Sequence, residues 1–221
     1  VGIGGTIIVA GAPTTADIGQ VYIFDLSGNQ LGIITASDGA ASDNYGLSVG
    51  VGTSKIVVGA YRDDDNGQDT GSAYIYNLDG TGEVKITASD GSVGDYFGRS
   101  VGIGGTIIVV GAYEEDTVAS GAGQAYIFDL SGNQLGIITA SDGAGNDYFG
   151  YSVDVSSTKI VIGAYADDDN GPSSGSAYIY NHDGTGEVKI TASDGAASDY
   201  FGRSVGVGSD KIVVGAYGGD D

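Results

Sequence analysis

Cysteine, methionine and tryptophan are absent from this 221-residue chain, proline occurs twice and histidine once. Without cysteine there is no disulfide framework, no thiolate metal site and no thiol nucleophile. Basic residues are scarce: 8 Lys and Arg stand against 29 Asp and Glu, a net charge of −21. So acidic a surface repels phosphate backbones, which argues against any nucleic-acid partner. No run approaches the ~18 consecutive apolar residues of a membrane-spanning helix, so no membrane insertion of that kind is expected. No segment keeps a 3.6-residue apolar period long enough for a helix of any kind. The chain opens on Val1 and contains no methionine, which reads as a piece excised from a longer protein. A signal peptide would be lost from such a piece.

Glycine is abundant instead, at 42 residues, with no collagen-like triplet. Apolar residues make up 41 %, chiefly Val, Ile, Ala and Tyr, enough for a packed core. The dominant feature is repetition. Phe97-Gly98, Phe149-Gly150 and Phe201-Gly202 lie 52 residues apart, with Tyr45-Gly46 one period earlier. Gly59-Ala60, Gly111-Ala112, Gly163-Ala164 and Gly215-Ala216 keep the same spacing, as do Tyr22, Tyr74, Tyr126 and Tyr178. A period of 104 overlies the first: residues 24–40 read FDLSGNQLGIITASDGA and recur unchanged at 128–144. The intervening units carry YNLDGTGEVKITASDG from Tyr76 and YNHDGTGEVKITASDG from Tyr180, so a two-repeat block has been duplicated.

Each unit holds four β-rich runs separated by turn residues. Residues 97–148 illustrate them: Ser100 to Ile103 alternates small and apolar, Thr106 to Val110 is β-branched throughout, Gln124 to Asp129 alternates aromatic and small, and Leu135 to Ala140 closes the set. Four strands in ~52 residues match one propeller blade. The expected architecture is an all-β β-propeller of four-stranded antiparallel blades, about 4.25 repeats. Its units are 1–44 with a truncated first strand, 45–96, 97–148, 149–200, and 201–221 as a partial fifth. Strands number sixteen to seventeen on this reading. Since the second strand occurs five times and a four-bladed ring has room for four, the chain is not expected to close on itself. Further repeats or other copies are expected at its ends.

The unit resembles the FG-GAP repeat, the blade of integrin α-subunit propellers, and is similar above all to the bacterial and phage form. The matching residues are Asp95 to Val101, Ile107 to Tyr113, Gly71 to Tyr76 and Lys85 to Gly91. The resemblance implies an extracellular or virion-surface interaction module; the family's rings usually hold about seven blades. On this basis the chain is read as a non-enzymatic, surface-displayed propeller. It would belong to a virion (phage) fibre or tail, or to a cell-surface adhesin, and contact a host-surface glycan or protein receptor or neighbouring structural subunits. The alternatives are a purely architectural or decoration repeat without a ligand, and a glycan-active enzyme.

An antiparallel meander sorts the charges. The loops joining second to third strands, and fourth strands to the next unit, share one end with 21 carboxylates, Arg62, Arg99 and Arg203. The other end holds 8 carboxylates with Lys55, Lys85, Lys159, Lys189 and Lys211. Clustered hard oxygens suit calcium. Asp63, Asp65, Asp69, Asp167 and Asp169 are the candidate ligands, although the Asp-x-Asp-x-Asp-Gly loop of integrin-type repeats is missing between Phe-Gly and Gly-Ala. Other constellations read as structure. Gly102-Ile103-Gly104-Gly105 precedes a strand and not a helix, so it is a hairpin and no phosphate cradle. His182 replaces a turn leucine, and the pair Asp90 and Asp95 recurs in every unit as a loop cap where a glycosidase would need one unique pair. Tyr74, Tyr76, Tyr126, Tyr178 and Tyr180 are expected to fill blade interfaces, with a sugar-stacking surface as the alternative.

Overall fold

The computed structural model describes residues 1–14 and 16–219. Its described residues contain eighteen strands and no helix. Strands β1 (Gly2–Gly4), β2 (Ile7–Ala12), β3 (Gln20–Asp25) and β4 (Gln30–Ile34) form the first sheet. Strands β5 (Val49–Val51), β6 (Lys55–Ala60), β7 (Ser72–Asn77) and β8 (Val84–Ile86) form the second. The third holds β9 (Ser100–Gly104), β10 (Ile107–Ala112), β11 (Gln124–Asp129) and β12 (Gln134–Ile138). The fourth holds β13 (Phe149–Val155), β14 (Lys159–Ala164), β15 (Ser176–Asn181) and β16 (Val188–Ile190). A two-stranded fifth sheet, β17 (Phe201–Val207) and β18 (Ile212–Ala216), follows. Every strand pairs with its sequence neighbour, antiparallel, as in the blades of a β-propeller. The strand count exceeds expectation by one or two because the truncated first unit keeps a three-residue β1 paired with β2.

Alternation along the strands gives each sheet two unlike faces. Ile56, Val58 and Ala60 of β6 join Tyr74 and Tyr76 of β7 in packing on Val9, Val21, Ile23 and Ile34 of the first sheet. The opposite face, Val57, Ala73 and Ile75, packs on Ile108, Val110, Tyr126 and Phe128 of the third. An aromatic face therefore meets the preceding blade and an aliphatic face the next. The ring of the Phe-Gly motif lies in this seam: Phe97 meets Tyr126 edge-on at 5.4 Å, and Phe149 meets Tyr178 at 5.3 Å. Each such buried ring removes enough apolar surface from water to contribute about 2 kcal/mol.

The two glycine motifs meet across the seam. A Cβ on Gly59 would lie 2.0 Å from the carbonyl oxygen of Gly98, and one on Gly163 would lie 1.9 Å from that of Gly202. Gly98 itself has φ +89°, a left-handed conformation open to glycine at little cost. The Ser48 hydroxyl donates to the same Gly98 oxygen at 2.9 Å, and Ser100 and Ser152 repeat the bond on Gly150 and Gly202.

The pattern stops at the terminal sheets. Val213 of β18 is 71 % exposed, whereas its equivalents Val57 and Val161 are fully buried. On the first sheet Tyr22 and Phe24 are half-exposed and stack on one another at 6.4 Å. The first blade thus shows an uncovered aromatic face and the last an uncovered aliphatic one.

Candidate functional site

Two constellations carry the chain's charge chemistry. The first joins the acidic loops at alternate blade seams. The register Tyr74↔Lys85 puts both side chains on the same face of the second sheet. From there the Lys85 ammonium reaches three carboxylates: Asp65 at 2.6 Å, Asp63 at 2.8 Å and, across the seam, Asp38 at 2.9 Å. The Tyr74 hydroxyl donates within the same cluster, 2.8 Å from Asp63 and 2.9 Å from Asp38. One period pair later Lys189 repeats this with Asp169 at 2.7 Å and with Asp167 and Asp142 at 2.8 Å, beside Tyr178. Burial works against charging these lysines, but the carboxylate bonds outweigh it and raise their pKa. Burial pushes Asp38 and Asp142 up; the lysine and tyrosine bonds prevail and leave both below the ordinary carboxylate value.

Four of the five metal candidates therefore belong to two clusters, Asp63 with Asp65 and Asp167 with Asp169. Asp38 and Asp142 complete them from the preceding blade, as spacing within one loop could not show. Asp69 lies apart: its carboxylate is 3.8 Å from Arg62, and its backbone N–H donates to Asp64. Asp142, Asp167 and Asp169 are close enough together to hold a metal ion. Calcium takes six to eight oxygens, and here an ammonium already bonds all three carboxylates. A cation would have to displace Lys189, so the donor set as built fits the lysine better than calcium. This also corrects the sorting of charge by strand ends. Lys85 and Lys189 sit mid-strand on the three-residue strands β8 and β16, and their long stems carry the charge to the acidic end.

The seam between the second and third blades lacks the lysine. Ile137 stands where Lys85 and Lys189 stand, Glu115 replaces Asp63, and Thr117 replaces Asp65. Glu115 is buried and accepts from the backbone N–H of Thr117 at 3.0 Å and from its hydroxyl. The Tyr126 hydroxyl, equivalent to that of Tyr74, is buried without a hydrogen bond of normal geometry. Burial, then the adjacent Asp90 carboxylate, raises its pKa. Asp95, the proposed loop cap, accepts from Ser92 N at 2.6 Å; Asp43, Asp147 and Asp199 repeat the cap at 2.7 Å. His182 contacts the Ser156 carbonyl at 3.1 Å, a turn contact.

The second constellation is an axial cleft of about 690 Å³, formed where the first strands of the units converge. Leu47, Arg99, Tyr151 and Arg203, each one residue past its Phe-Gly or Tyr-Gly pair, line it. Arg99 lies 4.4 Å over the Tyr151 ring and donates to its hydroxyl at 2.8 Å. Arg203 lies over Tyr151, Tyr165 and Tyr217 at 5.4, 5.4 and 4.9 Å. A tyrosine belt continues outward, with Tyr96 stacked on Tyr113 and Tyr148 on Tyr165, both at 5.5 Å. Tyr96, Tyr148 and Tyr200 hold φ of 57°, 59° and 56°, a costly conformation for a bulky residue. Tyr74, Tyr76, Tyr126, Tyr178 and Tyr180 fill the blade interfaces, as expected, and at no more than 2 % exposed they offer no stacking surface. The accessible rings come from other positions: Tyr61, Tyr113, Tyr165 and Tyr217 just past the ends of second strands, Tyr96, Tyr148 and Tyr200 ahead of first strands, and Tyr151 within β13.

Comparison with known proteins agrees with this architecture. The sequence profile of the FG-GAP repeat matches residues 29–76, 81–128, 133–180 and 185–221. No curated protein matches the chain by sequence. Among solved structures, BamB from Moraxella catarrhalis superposes with a TM-score of 0.53 at 12 % identity, a likeness of fold alone. The alignment covers 98 % of this chain and 57 % of BamB, so the chain spans little more than half that protein's length. With four profile matches covering most of its length, each running from the last strand of one sheet into the next sheet, the chain belongs to the FG-GAP repeat family.

Proposed function

We propose that this chain is a non-enzymatic interaction module displayed outside the cell, on a virion or a cell surface, where it contacts a host glycan or protein receptor. The axial cleft carries this reading. It is a cleft of about 690 Å³ with side chains suited to recognition, while the acidic clusters are bonded into blade seams. Lysine, on this reading, supplies at two seams the positive charge that calcium could supply elsewhere. A fluorescent form of the chain, tested on a glycan array and on whole cells, is expected to bind saturably. Release of reducing sugar ends from an array glycan would overturn the non-enzymatic reading.

A second, architectural reading is favoured by the uncovered terminal faces. The aromatic face at Tyr22 and Phe24 and the aliphatic face at Val213 are the two halves of the seam found inside the chain. Neighbouring repeats or copies would then stack blade on blade. Light scattering across a concentration series tests this: mass that grows with concentration supports stacking, and a constant monomer mass argues against it.

A further inference from the structure

We propose that the axial cleft is a carboxylate-recognition site in which Arg99 and Arg203 hold an acidic sugar of the uronic or sialic type. This rests on the surface-module reading above and names the ligand class of the same cleft.

The distribution of charge carries the argument. The chain has 29 carboxylates, yet among the described residues none lines this cleft. It has three arginines, and two of them are here. Arg62, outside the cleft, has Asp69 at 3.8 Å. Among the described residues neither Arg99 nor Arg203 is in an ion pair, although acidic side chains outnumber basic ones more than threefold. Both are held by tyrosine faces instead. Stacking uses the face of a guanidinium and leaves edge N–H donors available, and that fork matches a carboxylate bidentately. Arg203 retains most of this capacity, since the contacts that hold it are ring faces. The site is built: Tyr151 is fixed by the Arg99 bond at 2.8 Å and by edge contact with Tyr165 at 4.5 Å.

Electrostatics separates an acidic sugar from an acidic polypeptide. Closely spaced carboxylates on a peptide would meet the anionic loops around the rim within a screening length of about 8 Å. A single carboxylate on an otherwise neutral glycan can sit on the guanidinium pair with no second charge to place against those loops. The cleft's volume of about 690 Å³ lies within the ~300–1,000 Å³ of small-ligand sites. Its half-exposed Tyr151 and exposed Tyr217 flank the arginines with the aromatic and hydroxyl surface that sugars use.

The test is titration of the chain with the methyl glycosides of glucuronic acid and N-acetylneuraminic acid, the neutral methyl glucoside and a tri-aspartate peptide, read by ligand-observed NMR. Binding of an acidic glycoside, absent for the neutral sugar and weakened by salt, is expected. Arg203→Gln and Arg99→Gln should each weaken it about tenfold or more, since each removes a charge-assisted bond. Arg62→Gln should leave it unchanged, and matching melting temperatures would show that the variants fold. Equal binding of neutral and acidic glycosides would overturn the proposal, as would preference for the peptide or acidic-sugar binding that survives both arginine substitutions. If cells bind the chain but neither glycoside does, and Arg203→Gln leaves cell binding intact, the cleft assignment fails while the surface-module reading stands.

Discussion

The seam between the first and second blades and the seam between the second and third share one packing of aromatic rings and glycines and settle their charge differently. In the first, Lys85 is bonded to three aspartates and Tyr74 satisfies its hydroxyl on two of them. In the second, Ile137 replaces the lysine, Glu115 turns onto Thr117, and the Tyr126 hydroxyl lies beside Asp90 without a hydrogen bond of normal geometry. The third-to-fourth seam returns to the lysine form. The 104-residue period is thus an alternation of electrostatic design on a repeated antiparallel blade. Aromatic packing and glycine contacts hold every seam, and the lysine cluster is added to alternate ones.

Removing the lysine should have the largest effect. Lys189→Met leaves Asp167, 3 % exposed, without its cation, and loss of one partner from a buried pair costs about 3 kcal/mol. In a domain of this size that is about 6–12 °C of melting temperature. The corresponding Lys85→Met should behave alike; a shift under 2 °C for both would show, at about 1 kcal/mol or less, that the clusters are merely surface pairs.

Glycine contacts come next, and here the contrast is between inner seams and the open end. Gly163→Ala forces a methyl against the Gly202 carbonyl, a backbone atom with little freedom to move, at a cost of about 1–3 kcal/mol. Gly215→Ala meets the Ser204 side chain but no neighbouring-blade backbone, and should cost less than half as much. Equal losses in chemical denaturation would show that the seam does not explain the motif.

The converse of lysine removal is Ile137→Lys. A lysine there can reach Asp90 and Glu115 and is expected to stabilise by about 1 kcal/mol. No gain would mean that Glu115, engaged by Thr117, cannot turn to meet it.

Asp95 sharpens the comparison through pH. Burial, then the nearby Glu115, Asp116 and Asp90, pushes its pKa from 3.8 up to about 6. A raised carboxyl pKa means that the folded state binds more protons between those values, so stability falls as pH rises from about 4 to about 6. Asp95→Asn keeps an acceptor for Ser92 and should raise the melting temperature at pH 7.5 while changing little at pH 4. Asp142 runs the other way: its lowered pKa gives stability that is present above 3.8 and lost as pH falls through the folded-state value. The same gain at both pH values would refute the burial argument for Asp95.

Much of this architecture was legible in the repeat itself. Strand alternation identified the two faces of a blade, and the 52-residue spacing of the Phe-Gly and Gly-Ala pairs marked the repeat whose glycines meet across the seam at Gly59 and Gly98. What escaped was long-range placement. Lys85 alternates with apolar neighbours on a short strand and reads as a solvent-facing residue, because its partner Asp38 lies 47 positions away on another blade. The accessible tyrosines were missed for a related reason. Tyr151 lies near the start of a first strand and Tyr217 just past a second one, and only the convergence of the units at the axis places them beside Arg203. A signal existed in the position after each Phe-Gly or Tyr-Gly pair, which reads Leu, Arg, Tyr, Arg in succession while the serine after it never changes.

The claim that lysine ammonium groups serve as the cations of the acidic seams is tested most directly by calcium. Melting temperatures of the chain and of the Lys85→Met/Lys189→Met double variant, with calcium and with chelator at physiological salt, separate the two possibilities. The account predicts that the unaltered chain melts at one temperature in both conditions, while the variant melts lower and regains stability with calcium, because a ligand held only by the folded state stabilises it. A drop for the unaltered chain in chelator, with no larger calcium response from the variant, would contradict it.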